Sequence, residues 1–313
     1  NDLYCRRHVG SSDGRDCSYR LKKIQSESVM RKRMETKGKW FLRIWTGIFF
    51  LGIAIMLYPK IGNLWNSGRQ SRVVEGYEQK AEEMDSHEKE EMIEKSEKYN
   101  WMLLEQNNPI PNDKNEELYG GVLNLDENGM IGYLEIPAIH VRMPIYHGTG
   151  NFAISNGAGH VEGSSFPVGG KGTHCVLSSH RGLPGAKLFS DLDKLKPSDI
   201  FKITVLEKTI VYKVDKITIT EPGDTEMLRL EKEKDYCTLL TCTPYGVNTK
   251  RLLVRGTRCG LNEKAEAIRT GDNGNGMRYY VILLSVILAA VIWRIRGEMG
   301  EKDADSTCRK DGK

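Results

Sequence analysis

The sequence predicts a mainly β domain, a barrel or a sandwich of seven or so short strands, with a helical segment before it and an apolar helix on either side. Three observations predict this fold class. Residues 129–262 alternate short runs rich in Val, Ile, Tyr and Thr with Gly, Pro and Asn, a pattern typical of strands and turns. Residues 73–105 are highly charged and carry an apolar stripe at helical spacing. Residues 44–58 and 279–293 form two runs of 15 residues without a charge.

The charge of the chain is small on average but unevenly distributed. Its 313 residues include 46 Lys and Arg against 42 Asp and Glu, a formal net charge of +4. So thin a surplus argues against nucleic acid as the main partner. Residues 1–43 carry 12 basic and 5 acidic side chains, whereas residues 60–278 carry 28 basic and 32 acidic ones. A change of charge across an apolar run indicates a chain that crosses a membrane.

The first apolar run predicts a transmembrane helix over residues 41–58. The run is shorter than the roughly 20 residues of an average span, so the core of a signal peptide is an alternative. No small-x-small cleavage site follows Tyr58, which favours the span. The basic cluster in residues 31–39 places residues 1–40 in the cytoplasm. Within them, residues 1–29 are interpreted as translated upstream sequence without a fold.

The second apolar run predicts a transmembrane helix over residues 279–293, with a buried core helix as the alternative at this length. The run has Tyr and Trp at its ends and is flanked by Arg278 and Arg294, as is typical of a membrane interface. Residues 294–313 are then a cytoplasmic tail, and residues 263–278 an extracellular stalk. The predicted topology is a two-pass protein of the cell membrane with its β domain on the extracellular face.

Residues 59–128 are predicted to be an extracellular helical segment followed by a linker. The apolar stripe has a 3-4-3 spacing, but its next position is Glu88, which ends the pattern before a sustained coiled coil. We therefore expect a solvated helix whose stripe packs on its own domain. The Pro, Asn and charge content of residues 107–117 marks the linker. The stripe consists of Val74, Tyr77, Ala81 and Met84.

The β-rich region, residues 129–262, has the size of one domain. Apolar Phe201, Ile203 and Val205 alternate with polar residues, and a turn at residues 207–209 indicates a hairpin with the strand that follows. A helical piece is predicted over residues 186–195. The predicted strands are 130–136, 141–146, 173–178, 200–206, 210–219, 236–241 and 251–255.

The seven cysteines do not predict a metal site. Three of them, Cys5, Cys17 and Cys308, lie on the cytoplasmic side of this topology and are expected to stay reduced. The other four show neither CxxC nor Cys/His spacing typical of zinc. They are Cys175, Cys237, Cys242 and Cys259.

Three runs place reactive side chains at strand ends. Cys242 follows an apolar strand and precedes a Pro turn, and His180 ends another apolar strand before a Gly/Pro turn. Arg251 begins a third strand, and Arg255 lies about 13 Å further along the same face at 3.3 Å per residue. A thiol, an imidazole and a guanidinium could supply a nucleophile, a proton carrier and an oxyanion donor. Spacing alone leaves both arginines open.

The same runs resemble those of sortases, the membrane-anchored cysteine transpeptidases of Gram-positive surfaces, and within them class C, the pilin polymerases. The resemblance covers residues 129–258. It rests on TLLTC at 238–242, HRGLPGAKLFSDLDKL at 180–195, CTPYGVNTKRLLVRG at 242–256 and PIYHGT at 144–149.

The resemblance implies an eight-stranded β-barrel with Cys242 as nucleophile, His180 as its acid/base partner and Arg251 as the third essential group. Thr241, beside the nucleophile, either shapes the substrate groove or simply packs. His174 is the one real rival of His180. No cofactor or metal is implied. Cys175 and Cys237, each five residues before an active-site residue on strands that the resemblance makes neighbours, could form a disulfide, but the favoured interpretation is two unbridged core thiols.

The implied reaction is cleavage of an LPxTG-like sorting signal between Thr and Gly through a thioacyl-enzyme, followed by transfer to a lysine amine of a pilin. Two alternatives remain. One is a housekeeping sortase that anchors surface proteins to the amine of a cell-wall precursor. The other is a non-catalytic, membrane-anchored surface scaffold that uses residues 73–105 for protein contacts.

Two departures from class C stand out. Many members carry a lid with Asp-Pro-Trp or Asp-Pro-Phe before the barrel, and no such triplet occurs between Gly62 and Gly129. We therefore expect the thiol to be accessible without removal of a lid. Lys250 replaces the histidine that usually precedes the arginine, which adds a charge near the site without removing any of its three groups.

Overall fold

Two N-terminal helices and a closed barrel of eight strands make up the computed structural model, which describes residues 14–106, 119–125 and 129–259. The mainly β class and the eight-stranded barrel are confirmed. The helices are α1 (Gly14–Glu83) and α2 (Ser86–Gln106), and a third short helix, α3 (Asn151–Asn156), lies within the barrel sequence. The strands are β1 (Met130–Ile136), β2 (Val141–Tyr146), β3 (Ala158–His160), β4 (Thr173–Ser178), β5 (Ile200–Val205), β6 (Lys208–Thr220), β7 (Asp235–Thr243) and β8 (Lys250–Arg258).

The barrel closes in the strand order β1-β2-β3-β4-β7-β8-β6-β5, with β5 paired back to β1. Two neighbouring pairs, β2 with β3 and β4 with β7, are parallel, and the other pairs are antiparallel. Closure leaves no free edge on this sheet. The parallel contact of β4 with β7 is what brings the C-terminal ends of these two strands to the same end of the barrel.

All seven predicted strands exist, and the differences lie at their ends. The predicted turn at 207–209 is instead the two-residue turn Leu206–Glu207, since Val205 pairs with Lys208. Leu206 has a positive φ of 53°, which costs free energy for a branched side chain. Its N–H donates to the Tyr77 hydroxyl of α1 at 2.8 Å, a tertiary contact that local sequence does not report.

The helical piece predicted over 186–195 is wrong for most of its length. Only a short 3-10 turn, Leu192–Lys194, is helical there. Leu188 has a φ of +40°, which an α-helix cannot contain, and its side chain is buried in the core with that of Phe189. Burial of these two side chains has overridden the helical propensity of the run.

The helix predicted over 73–105 is two helices separated at Met84 and Asp85. Asp85 explains the break, because its carboxylate accepts from the backbone N–H of His87 at 2.9 Å and so caps α2. The expected packing of the stripe on its own domain is confirmed, since Val74, Tyr77 and Ala81 belong to the same buried cluster as the barrel core. The linker predicted at 107–117 lies outside the described residues.

Helix α1 is much longer than the predicted span. It continues through Pro59, which we placed at a boundary, and extends back to Gly14, into residues expected to have no fold. By length and composition, Arg43–Glu83 is the one stretch within the described residues that could cross a membrane. The second predicted span, residues 279–293, lies outside the described residues, as do the stalk and the tail.

Candidate active site

The residues singled out by sequence come together at one end of the barrel. Strands β4, β7 and β8 are consecutive neighbours in the sheet. Because β4 and β7 are parallel and β8 is antiparallel to β7, the C-terminal ends of β4 and β7 meet the N-terminal end of β8. These three ends carry His180, Cys242 and Arg251 respectively. We call this end of the barrel the site end.

Cys242 is the second-last residue of β7, so it lies within the strand and not beyond its end. Its side chain is partly exposed and unbridged, whereas its neighbours Thr241 and Thr243 are buried. Side chains alternate across a strand, so Cys242 faces outward while the two threonines face the barrel interior. The thiol is therefore held on a rigid element and remains reachable from solvent.

Arg251 is the direct cross-strand partner of Cys242 in the β7–β8 ladder. Residues opposite each other in an antiparallel pair share a face, with Cβ atoms about 4.5–5.5 Å apart. The Arg251 guanidinium donates through Nη1 to the carbonyls of Asn248 and Lys250 at 3.3 and 3.2 Å. These two bonds hold the Arg251 side chain against the backbone that precedes it, and the other N–H groups of the guanidinium remain as donors for a substrate.

His180 lies level with Cys242 by continuation of the β4–β7 register. The last paired residues are Ser178 and Leu240, and Ser179 still donates its N–H to the Leu240 carbonyl at 3.2 Å. Two residues beyond this pair stand His180 and Cys242. The main chain of His180 is fixed from two sides, since its N–H donates to Ile154 and its carbonyl accepts from Phe189.

The two arginines that spacing left open have different surroundings. Arg255 is opposite Thr238 rather than Cys242. Its guanidinium forms a two-pronged ion pair with Asp215 at 2.7 and 3.2 Å and stacks 4.1 Å from the centre of the Tyr236 ring. These contacts give Arg255 a structural role and leave Arg251 as the arginine that stands opposite Cys242.

Thr241 and His174 are both buried with their polar atoms engaged. The Thr241 hydroxyl donates to the Ser179 carbonyl at 2.8 Å, which favours packing over a role in the substrate groove. His174 bonds the Arg229 carbonyl through Nδ1 and the Thr238 hydroxyl through Nε2. Burial lowers the pKa of His174 to about 4. This ring lies near the start of β4, away from the site end, and both of its nitrogens are bonded, so it is not placed to serve the thiol of Cys242.

The other cysteines of the domain are buried and unbridged. Cys175 and Cys237 are register partners across β4 and β7, and the structure has both as free thiols, in agreement with the favoured interpretation. Burial raises the pKa of the Cys237 thiol. Among the described residues, no three His, Cys, Asp or Glu side chains are arranged to hold a metal ion.

Helix α1 reaches the rim of the site end. The Asn66 side chain donates to the Gly185 carbonyl at 2.6 Å, and Gly185 belongs to the loop that begins at His180. Gln70 donates to the Asn156 carbonyl at 3.0 Å. At the opposite end of the barrel the Tyr77 hydroxyl donates to the Ile131 carbonyl at 2.7 Å. The helix therefore runs along the barrel wall from the site end to the far end.

Sequence reasoning missed a further group of polar residues behind the site. Arg181, next to His180, bonds Thr243 and Asp193, and none of these three stood out by spacing. The only signal in the sequence was the position of Arg181 and Thr243, each one residue beyond a predicted site residue.

Comparisons with known proteins place residues 134–259 in the family described as the sortase domain. Among solved structures, sortase C1 from Streptococcus agalactiae is 42% identical, with a TM-score of 0.58 over 60% of this chain and 98% of that one. Sortase C of Clostridium perfringens, solved with the C-terminal cell wall sorting motif, is 41% identical, with a TM-score of 0.54 over 61% of this chain and 100% of that one. Sortase C of Streptococcus pneumoniae, described in terms of pilin substrate specificity, is 42% identical, with a TM-score of 0.54 over 60% and 97%.

Curated relatives are more distant. Sortase D of Bacillus subtilis is 31% identical over 130 residues, which are 41% of this chain and 63% of the relative. Proteins named sortase A, from Streptococcus, Bacillus and Listeria species, are 29–31% identical. The chain spans between 55% and 65% of the length of these curated relatives.

Proposed function

The chain belongs to the sortase family, and from this premise we propose that it is a class C transpeptidase that joins pilin subunits. The observation that carries the proposal is that Arg251 stands opposite Cys242 in the β7–β8 register, while the neighbouring strand β4 ends at the same end of the barrel two residues before His180. The class C neighbours at 36–42% identity support the class.

In the proposed reaction, the Cys242 thiolate attacks the carbonyl carbon between Thr and Gly of an LPxTG-like sorting signal. The guanidinium of Arg251 donates hydrogen bonds to the oxyanion that forms. The Thr–Gly amide bond then breaks, and the imidazolium of His180 gives its proton to the leaving glycine amine. The product of this half-reaction is a thioester between the threonine carbonyl and Cys242.

A lysine amine of a second pilin subunit resolves this thioester in the proposed second half-reaction. The neutral amine attacks the thioester carbonyl, an isopeptide bond forms, and Cys242 leaves as a thiolate while His180 takes up the amine proton. This chain of steps needs only the three side chains and the two substrates. The sorting motif in the Clostridium perfringens structure and the pilin specificity described for the pneumococcal protein support the two substrate classes.

A second candidate acceptor, which the resemblance leaves open, is the amine of a cell-wall precursor; proteins named sortase A are among the relatives. Both versions share the first half-reaction and differ only in which amine attacks the thioester. In both versions we place the barrel on the extracellular face of a Gram-positive membrane, anchored by the apolar part of α1 and by the run at 279–293.

The test is to incubate the purified protein with an LPxTG peptide, without any amine, and to measure its intact mass. We expect an adduct on Cys242 equal to the peptide up to its threonine. Absence of the adduct under conditions where the peptide is bound would exclude the transpeptidase and leave the scaffold alternative. Adding a pilin subunit or a cell-wall precursor amine and sequencing the product linkage then separates the two acceptors.

A further inference from the structure

Arg181 occupies a position that the proposed reaction does not explain. It follows His180 directly, yet only 7% of its side chain is exposed. Charged side chains are rarely buried unless their partners hold them there. Its Nη1 donates to the Thr243 hydroxyl at 3.1 Å, and its Nη2 pairs with the Asp193 carboxylate at 2.6 Å.

These two contacts join the elements that carry the thiol and the imidazole. Thr243 is the residue after Cys242 on β7, and it faces the opposite side of the strand. Arg181 is the residue after His180. The bond between Arg181 and Thr243 therefore lies directly behind the pair formed by His180 and Cys242 and spans the same two strand ends.

The contact with Asp193 closes the loop that His180 begins. Asp193 lies in the 3-10 turn Leu192–Lys194 at the far end of this loop. Inside the loop, Gly182 donates its N–H to the Ser190 hydroxyl at 3.1 Å. Gly182 also has a φ of +77°, and a Cβ there would lie 3.0 Å from the Tyr245 ring. The Arg181 guanidinium lies 5.9 Å from the centre of that ring.

The arrangement leaves one donor of the guanidinium unused. Arg181 Nε is buried, and it finds no hydrogen-bond acceptor among the described residues. An unsatisfied buried donor costs free energy, so stability alone does not account for an arginine here. Local rules of this kind are broken mainly where geometry serves a function.

We propose that Arg181 is a positioning residue that clamps the His180 loop to the Cys242 strand through Thr243 and Asp193 and so sets the spacing of imidazole and thiol. The inference rests on the proposed function for the identity of the reacting groups. A shift of about 1 Å in such groups can cost 100-fold in rate. Arg181 itself does not touch the substrate.

The sharpest variant is Thr243→Val, because valine keeps the shape of threonine and removes only the hydroxyl that accepts from Arg181. Thr243→Ser keeps the hydroxyl and serves as the conservative rescue. Arg181→Lys replaces the planar guanidinium, whose two terminal nitrogens contact Thr243 and Asp193, by a single ammonium nitrogen. Arg255→Lys is the matched control, since Arg255 is also ion-paired and stacked on an aromatic ring but lies away from the thiol.

We would measure kcat and KM with an LPxTG peptide, the pH profile of kcat, and the pH dependence of Cys242 alkylation by iodoacetamide. For Thr243→Val and Arg181→Lys we expect kcat to fall about 10- to 100-fold with KM within about twofold, and both pH profiles to move. Thr243→Ser and Arg255→Lys should stay close to the wild type in every readout. Thr243→Val keeps the test decisive if Arg181→Lys does not fold.

Unchanged kcat and pH profiles in Thr243→Val would overturn the clamp. So would a loss of rate that accompanies a lower melting temperature with both pH profiles unmoved, because that result marks a merely structural residue. The alkylation readout does not require turnover. A wild type without thioacyl adduct contradicts the proposed function, whereas an active wild type with unaffected variants contradicts only the clamp.

Discussion

Arg251 and Arg255 lie on the same face of β8, and the difference in their partners leads to the first prediction. Arg251→Lys should lower kcat/KM on the order of 100-fold, because an ammonium cannot present two aligned donors to an oxyanion. Arg255→Lys should change it by less than about threefold, since lysine can still pair with Asp215 at a partly exposed site. Peptide-cleavage kinetics of both variants check this, and equal losses would show that register is a poor guide to the role of these residues.

Cys242 carries the second prediction at this scale. Cys242→Ala should reduce both peptide cleavage and transpeptidation to background, because a methyl group cannot form a thioester. The melting temperature should stay close to that of the wild type, since the side chain is partly exposed. The controls are Cys175→Ala, Cys237→Ala and Cys259→Ala, which should each keep most of the activity. Turnover above background in the purified Cys242→Ala protein would contradict the proposed nucleophile.

The site illustrates what single residues in a sequence can and cannot predict. Cys242 and His180 were predicted because each ends an apolar strand before a turn. The choice of Arg251 over Arg255 came from resemblance, and only the β7–β8 register supplies a physical reason for it. Arg181 and Asp193 escaped prediction because their significance lies in a contact across a loop, which no local pattern encodes.

Among the secondary-structure elements, the contact of α1 with the site end bears on the expected access to the thiol. Asn66 and Gln70 bond the rim, but both bonds end on backbone carbonyls of Gly185 and Asn156 rather than on a site side chain. The double variant Asn66→Ala, Gln70→Ala should therefore alkylate at Cys242 within about twofold of the wild-type rate. Glu78→Ala, which breaks an ion pair of the same helix with Arg142, is the matched control. A large acceleration confined to the double variant would identify α1 as a lid.

Deletion of α1 and α2 up to Gly121 would not measure access to the thiol by itself. Val74, Tyr77 and Tyr99 belong to the barrel's own buried cluster, so their loss would expose apolar surface of the core as well as the thiol. Point variants at the rim separate access from folding.

Strands were easier to predict than the connections between them. Long runs such as 130–136 can be recognised as strands from their β-branched and aromatic composition. In contrast, β3 has three residues and α3 has six, which are too few to show the hydrophobic periodicity of a strand or a helix. The Leu206–Glu207 turn depends on Tyr77, 129 residues earlier. Elements of this kind are determined by tertiary contacts and not by their own sequence.

For the whole molecule, two histidines, His174 with a buried side chain and His147 with buried ring nitrogens, predict a loss of stability in acid. Burial lowers the pKa of His147 and of His174 to about 4, against roughly 6.5 in an unfolded chain. Between pH 6.5 and 4 these two histidines are protonated in the unfolded chain but remain neutral in the native protein. The free energy of unfolding therefore falls as the pH falls through this window. His174 alone should account for on the order of 3 kcal/mol by pH 4.

Denaturant unfolding at a series of pH values checks this prediction. His174→Gln should be less stable than the wild type at pH 7.5, because it loses bonds to Arg229 and Thr238, but its stability should fall less steeply towards pH 4. His140→Gln is the control, since His140 is exposed, and it should keep the wild-type slope. If the free energy of unfolding of His174→Gln falls with pH as steeply as that of the wild type, the ring of His174 is not the cause of the loss of stability in acid.

The unbroken course of α1 through Pro59 has a consequence for the height of the site end under the proposed membrane placement. With the apolar run in a bilayer, Tyr58 marks the water interface, and Asn66 at the rim of the site end follows eight residues later. At 1.5 Å per residue this is a height of about 12 Å. Under the proposed membrane placement, the site end therefore lies nearer to the bilayer than the opposite end of the barrel, which α1 contacts eleven residues later at Tyr77.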